Sequence, residues 1–128
     1  MPACRRSEVI HRLSEIEILV YIVNRAPWPI TDREFVWKRH YAVDSDDRSL
    51  LRFTATREDF EGESGLVRMI NAQGTWEVTR VSDDNVEVVF QFVGDGGGTI
   101  PRGFVDSYNK QLPRQMLLAL QSRIEELR

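Results

Sequence analysis

The sequence predicts an α+β domain in which a curved antiparallel β-sheet packs on one long C-terminal helix. Three observations favour this fold class. Short apolar segments with strand periodicity fill the chain up to Val93, polar turns join them, and an amphipathic segment runs from Pro101 to Arg128. No strand–helix–strand unit occurs, which disfavours a doubly wound nucleotide-binding sheet. A chain of 128 residues suits one domain, so residues 1–128 are expected to fold as a single unit.

Composition excludes several classes of function. The chain is 41% hydrophobic and 29% charged, as in ordinary globular proteins, and its net charge of −3 disfavours a general nucleic-acid binder. No apolar run approaches the roughly 20 residues that cross a bilayer, so no transmembrane segment is predicted. The N-terminus lacks the apolar part of a secretory signal, which makes a cytoplasmic location the default expectation. The single cysteine, Cys4, excludes an internal disulfide.

The first two predicted strands are Ser7 to Leu13 and Ile16 to Asn24, joined by a polar turn. The second of them (IEILVYIVN) is apolar on both faces, which indicates a strand that is covered on each side. The corner Ala26-Pro27-Trp28-Pro29 follows. Its prolines fix φ and remove amide donors, so it is expected to be rigid and extended.

Four further strand segments precede the helix. Glu34 to Ala42 has an aromatic face, and Ser49 to Arg57 is another strand. Gly65 to Val81 is interpreted as two strand halves with a bulge or bend at Gln73-Gly74, and Val86 to Val93 is the last strand. The aromatic face of the first of these segments carries Phe35, Trp37, Arg39 and Tyr41, whereas the residues between them form a second face.

The C-terminal segment follows a glycine-rich loop, Gly94 to Gly103. Its apolar residues recur at spacings of one, three and four, which is typical of a helix lying on an apolar surface, here about 40 Å long. The loop matches neither the P-loop nor the dinucleotide-binding motif. Its glycines are expected to supply the backbone freedom that the reversal from strand to helix needs.

No catalytic or metal-binding motif is evident. His11 and His40 are far apart in the sequence, and neither has a cysteine or carboxylate at ligand spacing. The acidic pairs Asp46-Asp47 and Asp83-Asp84 lie in predicted turns, where aspartate is favoured for structural reasons. No cofactor and no metal ion are therefore expected.

Arg68 is the most informative charged residue. It shares strand parity with Ile70, Ala72 and, if Gly74 does not shift the phase, with Trp76 and Val78. An arginine on an apolar face must pair with an acid or meet a polar ligand group, and the alternative is that this face is the solvent side near a strand end. The three tryptophans, Trp28, Trp37 and Trp76, are expected in the core.

Several short motifs occur in one order between Val9 and the C-terminus. They are Pro27-Trp28-Pro29 with the following Asp32-Arg33-Glu34-Phe35-Val36, then Val67-Arg68, then Trp76, and finally Asp95, Gly98, Ile100 and Pro101. Together they resemble the START domains, the lipid-transfer domains related to the steroidogenic acute regulatory protein. The resemblance implies a helix-grip fold, in which a curved antiparallel sheet wraps on the C-terminal helix and leaves a hydrophobic tunnel between them.

The resemblance further implies binding and transfer of a lipid or other hydrophobic molecule, without enzymatic chemistry. The partners it implies are this ligand and, transiently, a membrane. Arg68 matches the family's cavity arginine and is the expected polar contact. The expected wall of the cavity, chosen by parity and by stripe position, consists of Phe35, Trp37, Trp76, Val78, Phe90, Phe92, Tyr108, Leu112 and Met116. The C-terminal helix is expected to serve as wall and lid, with a hinge at Gly96-Gly97-Gly98.

The chain departs from the family in two ways. The N-terminal helices and first strand have no counterpart, so the chain resembles an N-terminally truncated START domain. Either it is a fragment that lacks any upstream targeting signal, or a partner or second copy covers the open edge, and exposed apolar surface favours a homodimer or a shallow cleft. In addition, no acidic partner for Arg68 is obvious, and Thr54, Thr56 and Glu77 are the candidates.

Two alternative functions stay open at this point. One is an enzyme on the same fold, resembling polyketide cyclases and aromatases, which needs a proton carrier in its cavity. Only His40, Tyr41, Tyr108 and Arg68 could serve. The other is an interaction module whose interior is filled by its own side chains, and a cavity smaller than roughly 300 Å³ would favour it.

Overall fold

A computed structural model describes residues 4–26, 28–57, 60–94 and 102–127, without the side chains of residues 43, 44, 102, 104, 105 and 108. Within these residues, seven strands precede one helix. The strands are β1 (Cys4–Arg12), β2 (Glu17–Asn24), β3 (Arg33–Ser45), β4 (Arg48–Ala55), β5 (Val67–Met69), β6 (Ala72–Arg80) and β7 (Val86–Gly94), and the helix is α1 (Arg102–Glu126).

The strands form one sheet in the order β1-β2-β3-β4-β6-β7, and all neighbours on this path are antiparallel. The short strand β5 lies off the path and pairs in parallel with Arg33–Phe35 of β3. It finds room there because β4 pairs with β3 only from Trp37 onward. The predicted α+β class, a curved antiparallel sheet with one long C-terminal helix, is confirmed.

The break between β5 and β6 lies earlier than the sequence predicts. Gly74, the predicted bend, is paired within β6 with Phe92. A Cβ atom at this position would collide with the Phe53 ring and would lie 2.5 Å from the Gln91 carbonyl oxygen. Glycine is therefore needed for close approach, and the chain turns instead between Met69 and Ala72.

Each face of the sheet carries its own hydrophobic cluster. The inner face, defined as the face towards α1, holds Val20, Ile22, Phe35, Trp37, Phe53, Ala55, Met69, Ala72 and Phe90, with Leu112 and Met116 from the helix. The outer face holds Tyr21, Val23 and Val36, against which Ile10, Phe60 and Leu66 pack. Successive residues of β2 and β3 alternate between the clusters, which explains why β2 is apolar on both sides.

Helix α1 contacts the sheet mainly at β7. Leu112 and Met116, one turn apart, are buried, and they are the buried ones among its described side chains. Pro113 lies between them and removes one backbone hydrogen bond from the helix. Beyond Met116 the helix is largely exposed, with Ile124 among its exposed apolar side chains, and Leu127, the residue after its end, is exposed as well. The predicted hinge, Gly96-Gly97-Gly98, and the motif from Asp95 to Pro101 lie outside the described residues.

The three tryptophans differ in burial. Trp37 is buried and Trp76 is half-buried, so both belong to the interior as predicted. Trp28 is 92% exposed, and its predicted place in the core is wrong. The reason is local: Trp28 lies in the corner between β2 and β3, where the chain is outside the sheet and beyond the reach of either cluster.

Candidate functional site

A cleft of about 180 Å³ lies between the inner face and α1. Its walls are apolar or aromatic except at two positions, Asn24 and Arg39. The lining residues are Asn24, Phe35, Trp37, Arg39, Leu51, Phe53, Trp76, Phe90, Phe92, Leu112 and Met116. Strand alternation accounts for the wall, since β3, β4, β6 and β7 each direct every second side chain towards the helix.

Aromatic rings in mutual contact form most of the wall. Phe35 stacks on Trp37 with ring centroids 4.7 Å apart, and the edge of Phe53 meets Trp37 at 5.0 Å. Trp76 packs on Phe90 at 4.5 Å. Rings at these spacings attract one another, so the wall is rigid and offers flat apolar surface to a molecule in the cleft.

Arg39 is the charged residue of the cleft. Alternation along β3 places it on the inner face after Phe35 and Trp37. Burial lowers the pKa of its guanidinium, while Cys4 acts in the opposite direction. None of the described residues forms a hydrogen bond or an ion pair with Arg39. A half-buried guanidinium without a counterion is costly, so a polar group supplied from outside would stabilise it.

Asn24, the last residue of β2, is the second polar group. It follows Val20 and Ile22 in inner-face parity, and its Oδ1 atom is buried without a hydrogen-bond partner among the described residues. Its neighbour in register on β1 is Cys4. On the paired strands, Arg39 is opposite Ile18 and Asn24 is opposite Arg33, so the two polar residues come from opposite ends of the β2–β3 pair.

Arg68, the predicted polar contact of the cavity, lies on the outer face. In the parallel pair of β5 and β3, Arg68 is opposite Glu34, and Met69 is opposite Phe35 in the inner cluster. The prediction that Arg68 shares a face with Trp76 is wrong, because β5 and β6 are separate strands and parity does not carry across the break.

Glu34 is the acidic partner of Arg68, in place of the candidates that the sequence suggested. The Arg68 Nε donates to Glu34 Oε1 at 2.9 Å, and a terminal guanidinium nitrogen donates to the Phe60 carbonyl oxygen at 2.7 Å. Glu34 is only 6% exposed. The ion pair thus satisfies Arg68 within the protein, and a role for Arg68 in ligand binding stays a prediction.

Tyr21 completes this outer-face network. Its hydroxyl donates to Glu34 Oε2 and accepts a hydrogen bond from the Glu63 amide at 3.0 Å. Burial raises the pKa of the Tyr21 hydroxyl, and the hydrogen bond to Glu34 raises it further. Gly62 passes so close to both groups that a Cβ atom there would overlap them. The segment from Phe60 to Leu66 is therefore fastened to the outer face.

Seven of the ten predicted contact residues line the cleft. They are Phe35, Trp37, Trp76, Phe90, Phe92, Leu112 and Met116. Val78 does not line it, and the Tyr108 side chain lies outside the described residues. Contact of the seven with a ligand stays a prediction.

Sequence reasoning missed Asn24, Arg39, Leu51 and Phe53 as cleft residues. For the two polar residues a signal was present. The segment EFVWKRHYA places Arg39 in step with Phe35 and Trp37, and IEILVYIVN places Asn24 in step with its inner-facing apolar residues.

Three of the four candidate proton carriers of an enzyme lie away from the cleft, and the side chain of the fourth, Tyr108, lies outside the described residues. The His40 Nδ1 lies 3.2 Å from Glu17 Oε2, and its ring is 40% exposed. Tyr41 is 45% exposed and donates to Ser49 Oγ at 3.4 Å. Neither residue lines the cleft, and neither does Arg68. Within the described residues, no group of three or more His, Cys, Asp or Glu side chains could hold a metal ion.

The part of the chain that the structure describes contains no helix that is both long and apolar enough to span a membrane.

Comparison with known proteins shows which folds this chain is similar to. No protein-family model matches the sequence. The uncharacterized protein PA1579 of Pseudomonas aeruginosa is 25% identical over 125 residues, which cover 91% of this chain and 62% of that protein. The chain thus spans less than two thirds of the length of this curated relative.

Solved structures give a more extensive match. A STAR-related lipid transfer protein from Xanthomonas axonopodis, 29% identical, superposes with a TM-score of 0.86 over 98% of this chain and 70% of its own. Human StAR-related lipid transfer protein 5, 17% identical, gives a TM-score of 0.85 over 98% of this chain and 62% of its own. As its motifs predict, this chain has the helix-grip fold of the START lipid-transfer domains over almost its whole length.

Proposed function

We propose that the chain binds a lipid or other hydrophobic small molecule in the cleft between the inner face and α1. One observation carries this proposal: an aromatic wall ends in two polar groups, Arg39 and Asn24, that lack partners among the described residues. Apolar walls with a few oriented polar groups are the usual form of a small-molecule site. The START lipid-transfer proteins of the same fold support it.

The wall would supply most of the affinity. Burial of apolar ligand surface contributes about 25 cal/mol per Å². Such attraction has little directional preference, so polar contacts are needed to orient the ligand. Arg39 and Asn24 would orient the ligand's polar groups, and the rings of Trp37 and Phe90 would cover its apolar body. The proposed activity is binding and transfer, with no chemical step.

The size of the cleft requires a movement. At about 180 Å³ it is smaller than the roughly 300 Å³ of a typical small-molecule pocket. Helix α1 contacts the sheet chiefly at β7, and Leu112 and Met116 are buried among its described side chains. An outward shift of this helix would enlarge the cleft without disturbing the outer-face cluster. The helix would thereby act as lid as well as wall.

The small volume also favours a second candidate function. In an interaction module the protein's own side chains fill the interior, and no guest is needed. Under that alternative, the enclosed space would stay closed to hydrophobic probes of any kind.

A fluorescent apolar probe separates the two candidates. N-phenyl-1-naphthylamine is expected to bind the protein saturably and to be displaced by dodecanol. Leu51→Trp fills the cleft and should weaken probe binding by about tenfold or more, because the added ring occupies the ligand's place. Arg52→Trp is the matched control, since Arg52 is the next residue of β4 and is exposed on the other face. Absence of saturable binding by the unmodified protein would support the interaction module.

A further inference from the structure

Among the described residues, the charges around the cleft do not balance. Arg39 brings a positive charge to the inner face, and no aspartate or glutamate is among the residues that line the cleft. The nearest strands do carry acids, but these are committed elsewhere. Glu34 pairs with Arg68 on the outer face, and Glu17 lies beside His40 and Lys38. The described protein therefore offers Arg39 no counterion.

Arg39 differs in this respect from Arg68, which lies on a neighbouring strand. Arg68 has a carboxylate at 2.9 Å and a carbonyl oxygen at 2.7 Å. A half-buried guanidinium carries five N–H donors that water satisfies only in part. Anionic groups such as carboxylate and phosphate match this planar donor fork and bind it with two parallel hydrogen bonds.

Asn24 adds a requirement of the opposite kind. Its buried Oδ1 atom is a hydrogen-bond acceptor without a donor among the described residues. A hydroxyl group on the ligand would satisfy Asn24 directly.

From this charge imbalance we infer that the ligand of the cleft is an anionic amphiphile, with a compact carboxylate or phosphate head at Arg39 and an apolar body along the aromatic wall. The inference rests on the proposed function and narrows it to one class of ligand. Cationic and neutral amphiphiles leave the Arg39 guanidinium without a counterion and should bind more weakly.

Four amphiphiles with the same alkyl chain test the head group. Dodecanoate, dodecyl phosphate, dodecanol and dodecyltrimethylammonium would each be titrated below their micelle concentrations, with tryptophan fluorescence as the readout, since Trp37 and Trp76 line the cleft. Dodecanoate or dodecyl phosphate should bind about tenfold or more tightly than dodecanol, and the cation most weakly. The ratio between the two anions shows which head the site prefers.

Arg39→Met should remove the preference for the anions while dodecanol binding is kept. Retained dodecanol binding also shows that the variant folds. Arg52→Met is the matched control, because this arginine is exposed on the outer face of the adjacent strand and should leave every affinity unchanged.

The outcomes separate the inference from the proposed function. If dodecanol binds as tightly as both anions, the protein is a ligand-binding domain but the anionic class is wrong. The inference also fails if Arg52→Met abolishes the preference as fully as Arg39→Met, since a general surface charge effect would then explain it. If none of the four amphiphiles binds, the proposed function itself fails.

Discussion

The two faces of the sheet differ in whether their arginine has hydrogen-bond and charge partners among the described residues. On the outer face, Arg68 is enclosed in a finished network with Glu34, Tyr21 and the Phe60 carbonyl group. On the inner face, Arg39 and Asn24 border an aromatic cleft and lack partners among the described residues. Polar groups satisfied within the chain stabilise a fold, whereas those left open in an apolar cleft are available to a ligand. The contrast thus distinguishes the polar residues that stabilise the fold from those that are candidates for ligand binding.

The largest effect is expected from Glu34→Ala, which tests whether the outer network is structural. The substitution leaves Arg68 and the Tyr21 hydroxyl without their shared acceptor in a buried setting. Loss of one member of a buried pair costs about 3 to 5 kcal/mol, so the free energy of unfolding in urea should fall by that amount.

A surface acid provides the control for this prediction. Glu8 pairs with Arg6 on β1, and both side chains are more than 40% exposed. Glu8→Ala should cost less than about 1 kcal/mol. Equal losses for the two variants would show that the Glu34 network has no special weight.

A smaller effect is expected from exchanging the arginines themselves. Arg68→Met should lower the free energy of unfolding by about 2 kcal/mol, less than Glu34→Ala, because Glu34 keeps the hydrogen bond that the Tyr21 hydroxyl donates. Arg39→Met should leave it unchanged or raise it slightly, because no described partner is lost and a half-buried charge is removed. Urea denaturation of both variants measures the difference, and destabilisation by Arg39→Met equal to that by Arg68→Met would abolish the contrast between the faces.

The smallest effect is a pH dependence at high pH. Burial and the bond to Glu34 raise the pKa of Tyr21 above the ordinary value of 10.0. A raised folded pKa contributes stability that is fully present below pH 10 and is lost as pH rises through the folded pKa. Urea midpoints should therefore fall more steeply between about pH 9 and about pH 11 in the unmodified protein than in Tyr21→Phe. If the urea midpoints of the two proteins fall equally with pH, the loss of stability comes from the titration of a group other than Tyr21.

The sequence predicted the architecture well, and the reasons are physical. Period-two alternation located β2, β3 and β7 to within a few residues, since each strand has at least one face in a hydrophobic cluster. The same alternation placed most cleft residues, because the inner face is continuous across β3, β6 and β7.

The failures occurred where long-range pairing decides the outcome. Arg68 was assigned to the wrong face because its strand pairs in parallel with β3, and a three-residue strand carries no usable periodicity. Its partner Glu34 precedes it by more than thirty positions, so no local pattern joins them. Trp28 was expected in the core from residue type alone, yet it is 92% exposed in the corner between β2 and β3.

Strands β2 and β3 contribute side chains to both hydrophobic clusters, so these two strands separate the inner-face cluster from the outer-face cluster. The outer side is fastened by the segment from Phe60 to Leu66, and the inner side is closed by a helix that rests mainly on β7. A ligand that displaces the helix would thus disturb the edge of the sheet at β7. The backbone of β2 and β3 would stay in place, because the outer-face contacts hold it. The inner side of the sheet can therefore open for a ligand because the outer side keeps its packing.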